Sequence, residues 1–425
     1  MADSTKPAGR PRSSSRRSFL KSAVGMAAAP AVFHIVPRHC LGGPGVTAPS
    51  DTVGGALIGC GGRGPGTFSE VVKSFKSIGK NVRQLAQCDV KFGDRADGKM
   101  YYTDFRRVLE RKDIDVVAIA TPPHWHALIA IAAAQAGKDV MCEKPLTRTI
   151  GEGRAVVNAF DRYQRVLQVG TFGRFSASKD KNNILTHKVI RSGLLKENKG
   201  VYIRRGGFKV KQWSGKPNLK VETPPKNLDW DFYCGPSPLK PFVRERIGGT
   251  HRNYWDYEGG GLSDMGQHFF DPLLWTLGKD DTSPVEIVAS APPAHPEVTG
   301  MWGWVELKYA DGLTVVMDSG EWGEPYDRKQ ARDVKLTDLS NEDQEKVNAL
   351  PDPTPMLTFA EAVRDRKQAG GNPEASHRTA TLLHLANLAI RVGRPIRYDP
   401  VKEQVIGDEL ANRLVNQPMR APWHL

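Results

Sequence analysis

A short apolar run, Ala56-Leu57-Ile58, passes without a break into Gly59-Cys60-Gly61-Gly62-Arg63-Gly64, and Thr67 to Phe75 reads as a helix behind it. In a strand–loop–helix unit of this kind, Gly59 and Gly61 permit a tight turn and the close approach of a pyrophosphate. Gly64 lets the helix pack on the strand, and the helix start offers amide donors to phosphate. The motif is weak alone, because 42 glycines make chance matches easy. The next strand is more restrictive. Val82 to Cys88 ends at Asp89, placed to bind a ribose 2′-hydroxyl and to disfavour a 2′-phosphate. NAD is therefore expected over NADP, with Lys91 keeping NADP open.

The alternation continues. Asp115 to Ala120 reads as a buried strand ending in Thr121-Pro122-Pro123-His124-Trp125-His126, which opens an alanine-rich helix. Val140-Met141-Cys142 is another strand, ending in Glu143-Lys144-Pro145-Leu146. Repeated β-α-β units imply a doubly wound parallel sheet with ligands at the carboxyl ends of its strands. The glycine loop, Asp89, Thr121 and Lys144 all fall at such ends, and their agreement outweighs any one motif.

Beyond Val166–Val169 the pattern changes. A helix over Lys181–Ser192 precedes strands at 201–210, 286–290 and 302–317, the last folded on an Ala310-Asp311-Gly312 turn. Such hairpins predict a largely antiparallel sheet. Residues 213–246 form an insertion rich in Pro, Lys and Trp, whose aromatic residues suit either stacking on sugar faces or packing of the loop itself. Next comes His251-Arg252-Asn253-Tyr254-Trp255-Asp256-Tyr257-Glu258, three glycines, and Asp264 and His268 four residues apart, on one face if helical. Pro272, four residues on, predicts a kink or break. Phe359–Arg366 and His377–Val392 read as helices, with His377 and His384 structural.

The glycine loop, Thr121-Pro122-Pro123-His124-Trp125-His126, Glu143-Lys144-Pro145 and Asp264-x-x-x-His268 together resemble the Gfo/Idh/MocA family, which includes glucose–fructose oxidoreductase and inositol dehydrogenase, over about residues 53–400. The resemblance implies an α/β fold with an N-terminal Rossmann sheet and a C-terminal α+β domain whose open sheet mediates dimers or tetramers. It implies Lys144, Asp264 and His268 as catalytic residues acting on a sugar or polyol. It places Gly59, Gly61, Gly62, Arg63, Gly64, Asp89, Thr121, Pro122, His126 and Glu143 around the nucleotide. Arg174, Arg252 and Tyr257 are substrate contacts expected from position alone. Two rivals remain: redox-neutral glycoside cleavage by oxidation, elimination and hydration, and a non-catalytic sugar-binding protein.

The first 48 residues stand apart. Ser15-Arg16-Arg17-Ser18-Phe19-Leu20-Lys21 before a mildly apolar stretch resembles a twin-arginine export signal, with cleavage near Val46-Thr47-Ala48 or earlier. The expected organisation is a leader and linker over 1–48, a dinucleotide-binding domain over 50–170, and a substrate and oligomerisation domain over 171–425. Residues 1–40 carry seven Lys or Arg against one acid, so the leader accounts for much of the formal net charge of +13. The remaining basic residues are interleaved with acids and form no stripe for nucleic acid. No apolar run reaches eighteen residues, so no membrane span is expected. Five scattered cysteines without C-x-x-C spacing predict neither a disulfide framework nor a zinc site, and His124-x-His126 lacks a third ligand nearby, so no metal is expected. Export and a nucleotide-dependent reaction together imply a cofactor loaded before export, since no nicotinamide pool exists outside the cytoplasm.

Overall fold

The computed structural model describes residues 52–425, so the export signal expected at the N-terminus lies outside the described residues. Two six-stranded sheets organise the chain. The first has the order β3-β2-β1-β4-β5-β6 and is parallel throughout. Its strands are β1 (Thr52–Ile58), β2 (Asn81–Cys88), β3 (Tyr101–Tyr102), β4 (Val116–Ile119), β5 (Asp139–Cys142) and β6 (Leu167–Val169). The order reverses between β1 and β4, the switch point at which doubly wound sheets open a crevice.

Side chains alternate along these strands. Leu57, Val116, Ala118 and Met141 join one core cluster, with Phe68, Val71 and Phe75 of α1 (Gly64–Ser77). Ala56, Ile58, Val117, Ile119, Val140 and Cys142 join another, with Ala127, Ile129, Ala130 and Ala133 of α2 (His126–Gln135). Period-two alternation with apolar residues on both faces is the mark of a sheet covered on both sides. One cover comes from far along the chain. Phe359, at the start of a short helix over Phe359–Asp365, sits edge-on to Phe75 with ring centres 5.9 Å apart. Burying a side chain of that size contributes about 1.5–3 kcal/mol.

The second sheet has the order β12-β11-β8-β9-β10-β7. Its strands are β7 (Val201–Arg205), β8 (Glu286–Ser290), β9 (Trp304–Lys308), β10 (Thr314–Asp318), β11 (Ile396–Asp399) and β12 (Gln404–Val405). It is antiparallel except where β7 joins β10 in parallel. The expected turn joins β9 to β10, with Gly312 at φ +94°. The strand expected over 201–210 stops at Arg205, because Gly206, Gly207 and Lys209 all take positive φ, which no strand accommodates.

Two long helices cover this sheet, α3 (Gly260–Thr276) and α4 (Pro373–Val392), burying Leu262, Phe270 and Leu274 against Leu382, Leu385 and Ala386. Of the kink or break expected at Pro272, the break does not occur; α3 runs through it. The proline removes only the donor to the His268 carbonyl, and its ring packs against Gly173 without crowding, since even a Cβ there would stand at 3.4 Å, an ordinary contact. No helix among the described residues is long and apolar enough to cross a membrane.

Candidate active site

Four strand ends of the parallel sheet converge on one cleft of about 600 Å³. From β1 comes the glycine loop, from β2 Asp89, from β4 Thr121 and Pro122, and from β5 Glu143 and Lys144. Gly59 has φ +89°, and a Cβ there would lie 2.5 Å from the backbone of Ala120 and Thr121, so the turn requires glycine. Gly64 packs against the Gly59 carbonyl, where a Cβ would lie at 2.2 Å, and lets α1 start close to β1. At Gly61 and Gly62, by contrast, a Cβ would meet nothing within 4 Å. The open space beside the helix start leaves room for a phosphate group against the loop.

The surrounding side chains suit a dinucleotide. Asp89 ends β2 with Oδ2 accepting from the Cys60 amide at 2.9 Å and Oδ1 from the Lys91 amide at 3.0 Å, which fixes the carboxylate beside the loop. Glu143 accepts from Arg63 Nε at 2.7 Å and from the Thr67 hydroxyl at 2.8 Å, tying β5 to the glycine loop. The Thr121 hydroxyl is buried without a partner in the cleft wall, an orphan that a bound ligand would satisfy.

The opposite wall is built from charged side chains. Lys144 Nζ donates to the Asp264 carboxylate at 2.7 Å and to the Asp264 carbonyl at 2.6 Å. Arg252 Nε lies 2.8 Å from the same carboxylate oxygen and 3.7 Å from Glu258, and its guanidinium stands over the Trp213 ring. Glu258 in turn meets His251 Nε2 at 3.0 Å. Alternating charges thus run from Lys144 through Asp264 and Arg252 to Glu258. Burial opposes ionisation of Asp264, but Lys144 and Arg252 outweigh it and hold the carboxyl below its ordinary range. The Leu146 amide donates to Gln267 of α3 at 3.2 Å, so the loop that carries Lys144 is fastened to the helix that carries Asp264.

Asp264 and His268 lie one turn apart on α3, as their spacing predicts. They do different things. Asp264 holds Lys144 and Arg252, whereas His268 presents its ring to the open cleft. Desolvation by the cleft walls, and then the Lys144 charge, lower the His268 pKa, which favours the neutral imidazole near neutral pH.

Three expected residues lie elsewhere. Arg174 is not a substrate contact: it is 1% exposed and paired with Asp271 at 2.9 Å and Asp280 at 2.9 Å, a buried ion cluster behind α3. Tyr257 is fully buried among Tyr233, Cys234 and His124, and no face of it reaches the cleft. His126 does not line the cleft. Its ring is buried between the carbonyls of Pro145 (2.8 Å) and Thr121 (2.7 Å), where the neutral ring donates to one of them and lies between the end of β4 and the Lys144 loop. Burial lowers the His126 pKa although both carbonyls favour its proton. His124 Nε2 lies 2.9 Å from the Tyr233 carbonyl, so the two rings of the His-x-His pair serve separate contacts.

Sequence reasoning missed His251 and Glu258, which line the cleft and pair with each other, Glu258 also lying 3.7 Å from Arg252. They stand seven positions apart in the chain, and no periodicity marks the pair. Of the two purposes left open for the insertion, packing is the one its contacts serve. Phe232 stacks on Trp125 with ring centres 5.3 Å apart, which packs the loop, and Phe232 and Tyr233 also line the cleft.

The oxidoreductase family's NAD-binding Rossmann fold matches residues 56–171, and its C-terminal alpha/beta domain matches residues 181–425. The chain is 32% identical over 177 residues to a levoglucosan dehydrogenase of Pseudarthrobacter phenanthrenivorans, covering 42% of this chain and 36% of that protein. It is 33% identical over 135 residues to a glycosyl hydrolase family 109 protein of Solibacter usitatus, covering 28% and 30%. The matched stretches thus span about a third of these curated relatives. Among solved structures, the WlbA dehydrogenase of Bordetella pertussis, in complex with NADH and UDP-GlcNAcA, is 17% identical, with 82% of this chain and 99% of that one covered at a TM-score of 0.50. At that identity the likeness is one of fold.

Proposed function

The chain belongs to the Gfo/Idh/MocA oxidoreductase family, with an NAD-binding Rossmann domain, and from that premise we propose that it oxidises a ring hydroxyl of a sugar or polyol. The observation that carries this reading is the Lys144 ammonium held by Asp264 at 2.7 Å in the same cleft as the solvent-facing His268. NAD, when bound, supplies the acceptor for the hydride. Neutral His268 takes the hydroxyl proton, and its lowered pKa keeps the base form available. Lys144 donates a hydrogen bond to the same oxygen as negative charge develops there. Asp264 and Arg252 position Lys144; Asp264, already ionised and doubly paired, is not the base. A cyclic sugar substrate agrees with the similarity to levoglucosan dehydrogenase.

The leader motif supports export by the twin-arginine route, and export in turn requires a nucleotide held tightly and recycled in place. By resemblance to the family, the second domain suits homo-oligomer contact. Similarity to glycosyl hydrolase family 109 proteins favours one second reading, redox-neutral glycoside cleavage, which consumes no external acceptor. The test begins with protein purified from the compartment to which it is exported. Denaturation should release NAD or NADP in a one-to-one ratio, and an empty protein would overturn the reading. A loaded enzyme that reduces its nucleotide with free sugars is a dehydrogenase. One that releases aglycone with no net reduction is a redox-neutral glycosidase.

A further inference from the structure

A second, smaller cavity of about 40 Å³ lies behind the catalytic wall. On this scale a water takes about 10–15 Å³, so the space holds about three or four waters or one small ion. It is bounded by the loop after Lys144, by the last turns of α4 and by the chain near Gln417, and it shares Pro123 and Glu258 with the cleft.

Its lining is rich in cationic donors. Arg148 contributes a side chain only 5% exposed, whose Nε is buried with no hydrogen-bond partner. Its nearest carboxylate, Glu152, is 3.7 Å away, and its Nη1 donates to Gln417 at 3.0 Å. Arg391 comes from α4 and stacks over Trp255, 4.9 Å from the ring centre; among the described residues no carboxylate lies within ion-pair distance of it. Burial, and then the charge of Arg148, pull its pKa down to about 10, the response of a guanidinium that lacks a counterion. His384, also from α4, faces the cavity with Nε2 buried and unpartnered. The acid present, Glu258, already meets His251 at 3.0 Å and Arg252 at 3.7 Å through one oxygen.

We propose that this cavity binds a small oxyanion, of the size and charge of inorganic phosphate, between Arg148 and Arg391. Two guanidinium groups in a confined space match the geometry of an oxyanion, and the anion supplies the charge that Arg391 lacks and that Arg148 meets only at 3.7 Å in Glu152. A protonated oxyanion such as hydrogenphosphate satisfies more. Its hydroxyl meets His384 Nε2 in either tautomer and can donate to the free oxygen of Glu258, which is buried without a partner. The site lies apart from the glycine loop and does not depend on the proposed reaction.

The test is calorimetric titration of the nucleotide-loaded protein with sodium phosphate, at ionic strength held constant with sodium chloride. Saturable one-to-one binding is expected, with a change in tryptophan emission that Trp255→Phe removes. Arg391→Met should weaken binding at least tenfold, and Gln417→Leu, at the edge of the cavity, should weaken it less while leaving the fold intact. No saturation beyond the chloride control would overturn the proposal. So would equal binding by Gln417→Leu and the native protein when Arg391→Met does not fold. Binding seen only after the nucleotide is stripped would place the phosphate at the glycine loop and overturn it as well. Acetate in place of phosphate distinguishes an oxyanion site from a carboxylate site: weaker acetate binding is expected, and preference for acetate would refute the assignment.

Discussion

The two walls of the main cleft are built on different principles. The nucleotide wall is backbone: strand ends, a glycine loop whose Gly61 and Gly62 stand against empty space, and one carboxylate fixed by two amides. The opposite wall is a chain of alternating charges from Lys144 to Glu258, each held by the next. A backbone wall tolerates a change of side chain so long as its turns survive. A wall of paired charges transmits the loss of one member to its neighbours, because each ion is left without its counterion. The contrast predicts that substitutions in the charged wall stop chemistry while the nucleotide stays bound, and that substitutions in the backbone wall release the nucleotide.

The sharpest test falls on His268. Replacing it by Ala should lower kcat by about 10²–10⁴, the usual worth of a general base, with the bound nucleotide unchanged on denaturation and mass analysis. Lys144→Ala should come next at about 10²–10³, the cost of one lost donor to a developing oxyanion. The two residues are also linked. Lys144 is a cause of the lowered His268 pKa, second to desolvation, so removing its charge should move that pKa up toward 6.5. NMR titration of the His268 ring in both proteins measures this directly. A pKa that stays put in Lys144→Ala would separate the two residues and break the account of the wall as one unit.

The same contrast governs how far each wall is legible in the sequence. The glycine loop, Asp89, Thr121 and Lys144 are each marked by a local pattern, an apolar strand followed by a characteristic end, and the fold places all four where a doubly wound sheet puts its ligands. The charged wall depends on pairing at long range. Lys144 and Asp264 are 120 residues apart, and only resemblance to a family brings them together from sequence. Position alone points to Arg252, Arg174 and Tyr257 alike, yet Arg252 falls in the cleft and the other two are buried. Nothing in the local sequence tells an arginine bound for Asp264 from one bound for Asp271 and Asp280. Pro272 does not break α3, because a proline costs a helix one donor and needs room for its ring, and the ring packs without crowding against Gly173. His126 carries the family motif but is buried between two carbonyls, a place visible only once β4 and the Lys144 loop lie side by side.

On the backbone wall, Gly59→Ala should do the opposite of Lys144→Ala. A side chain at φ +89° costs about 1–3 kcal/mol before the clash with Ala120 and Thr121 is counted. Both the melting temperature and nucleotide occupancy should fall, the second because the turn that shapes the cradle must shift. Occupancy equal to the native protein, measured by the same release assay, would show that the loop can move without losing its ligand.

Asp89 gives the smallest and most discriminating effect. Both of its oxygens already accept from backbone amides, yet a carboxylate has about four acceptor positions, so ribose hydroxyls can be bound without breaking either contact. Its negative charge also disfavours a 2′-phosphate, and Lys91 stands two residues away. Asp89→Asn keeps an acceptor for the Cys60 amide but removes the charge. A charge-assisted hydrogen bond is worth about 1.5–3 kcal/mol, so the preference for NAD over NADP should fall about tenfold or more in competition for the stripped protein. The melting temperature should change little, because the loop contact survives. If the preference falls, Asp89 reads the ribose as well as holding the loop. If it does not, Asp89 serves the loop alone, and the backbone wall would contain no side chain that selects between the two nucleotides.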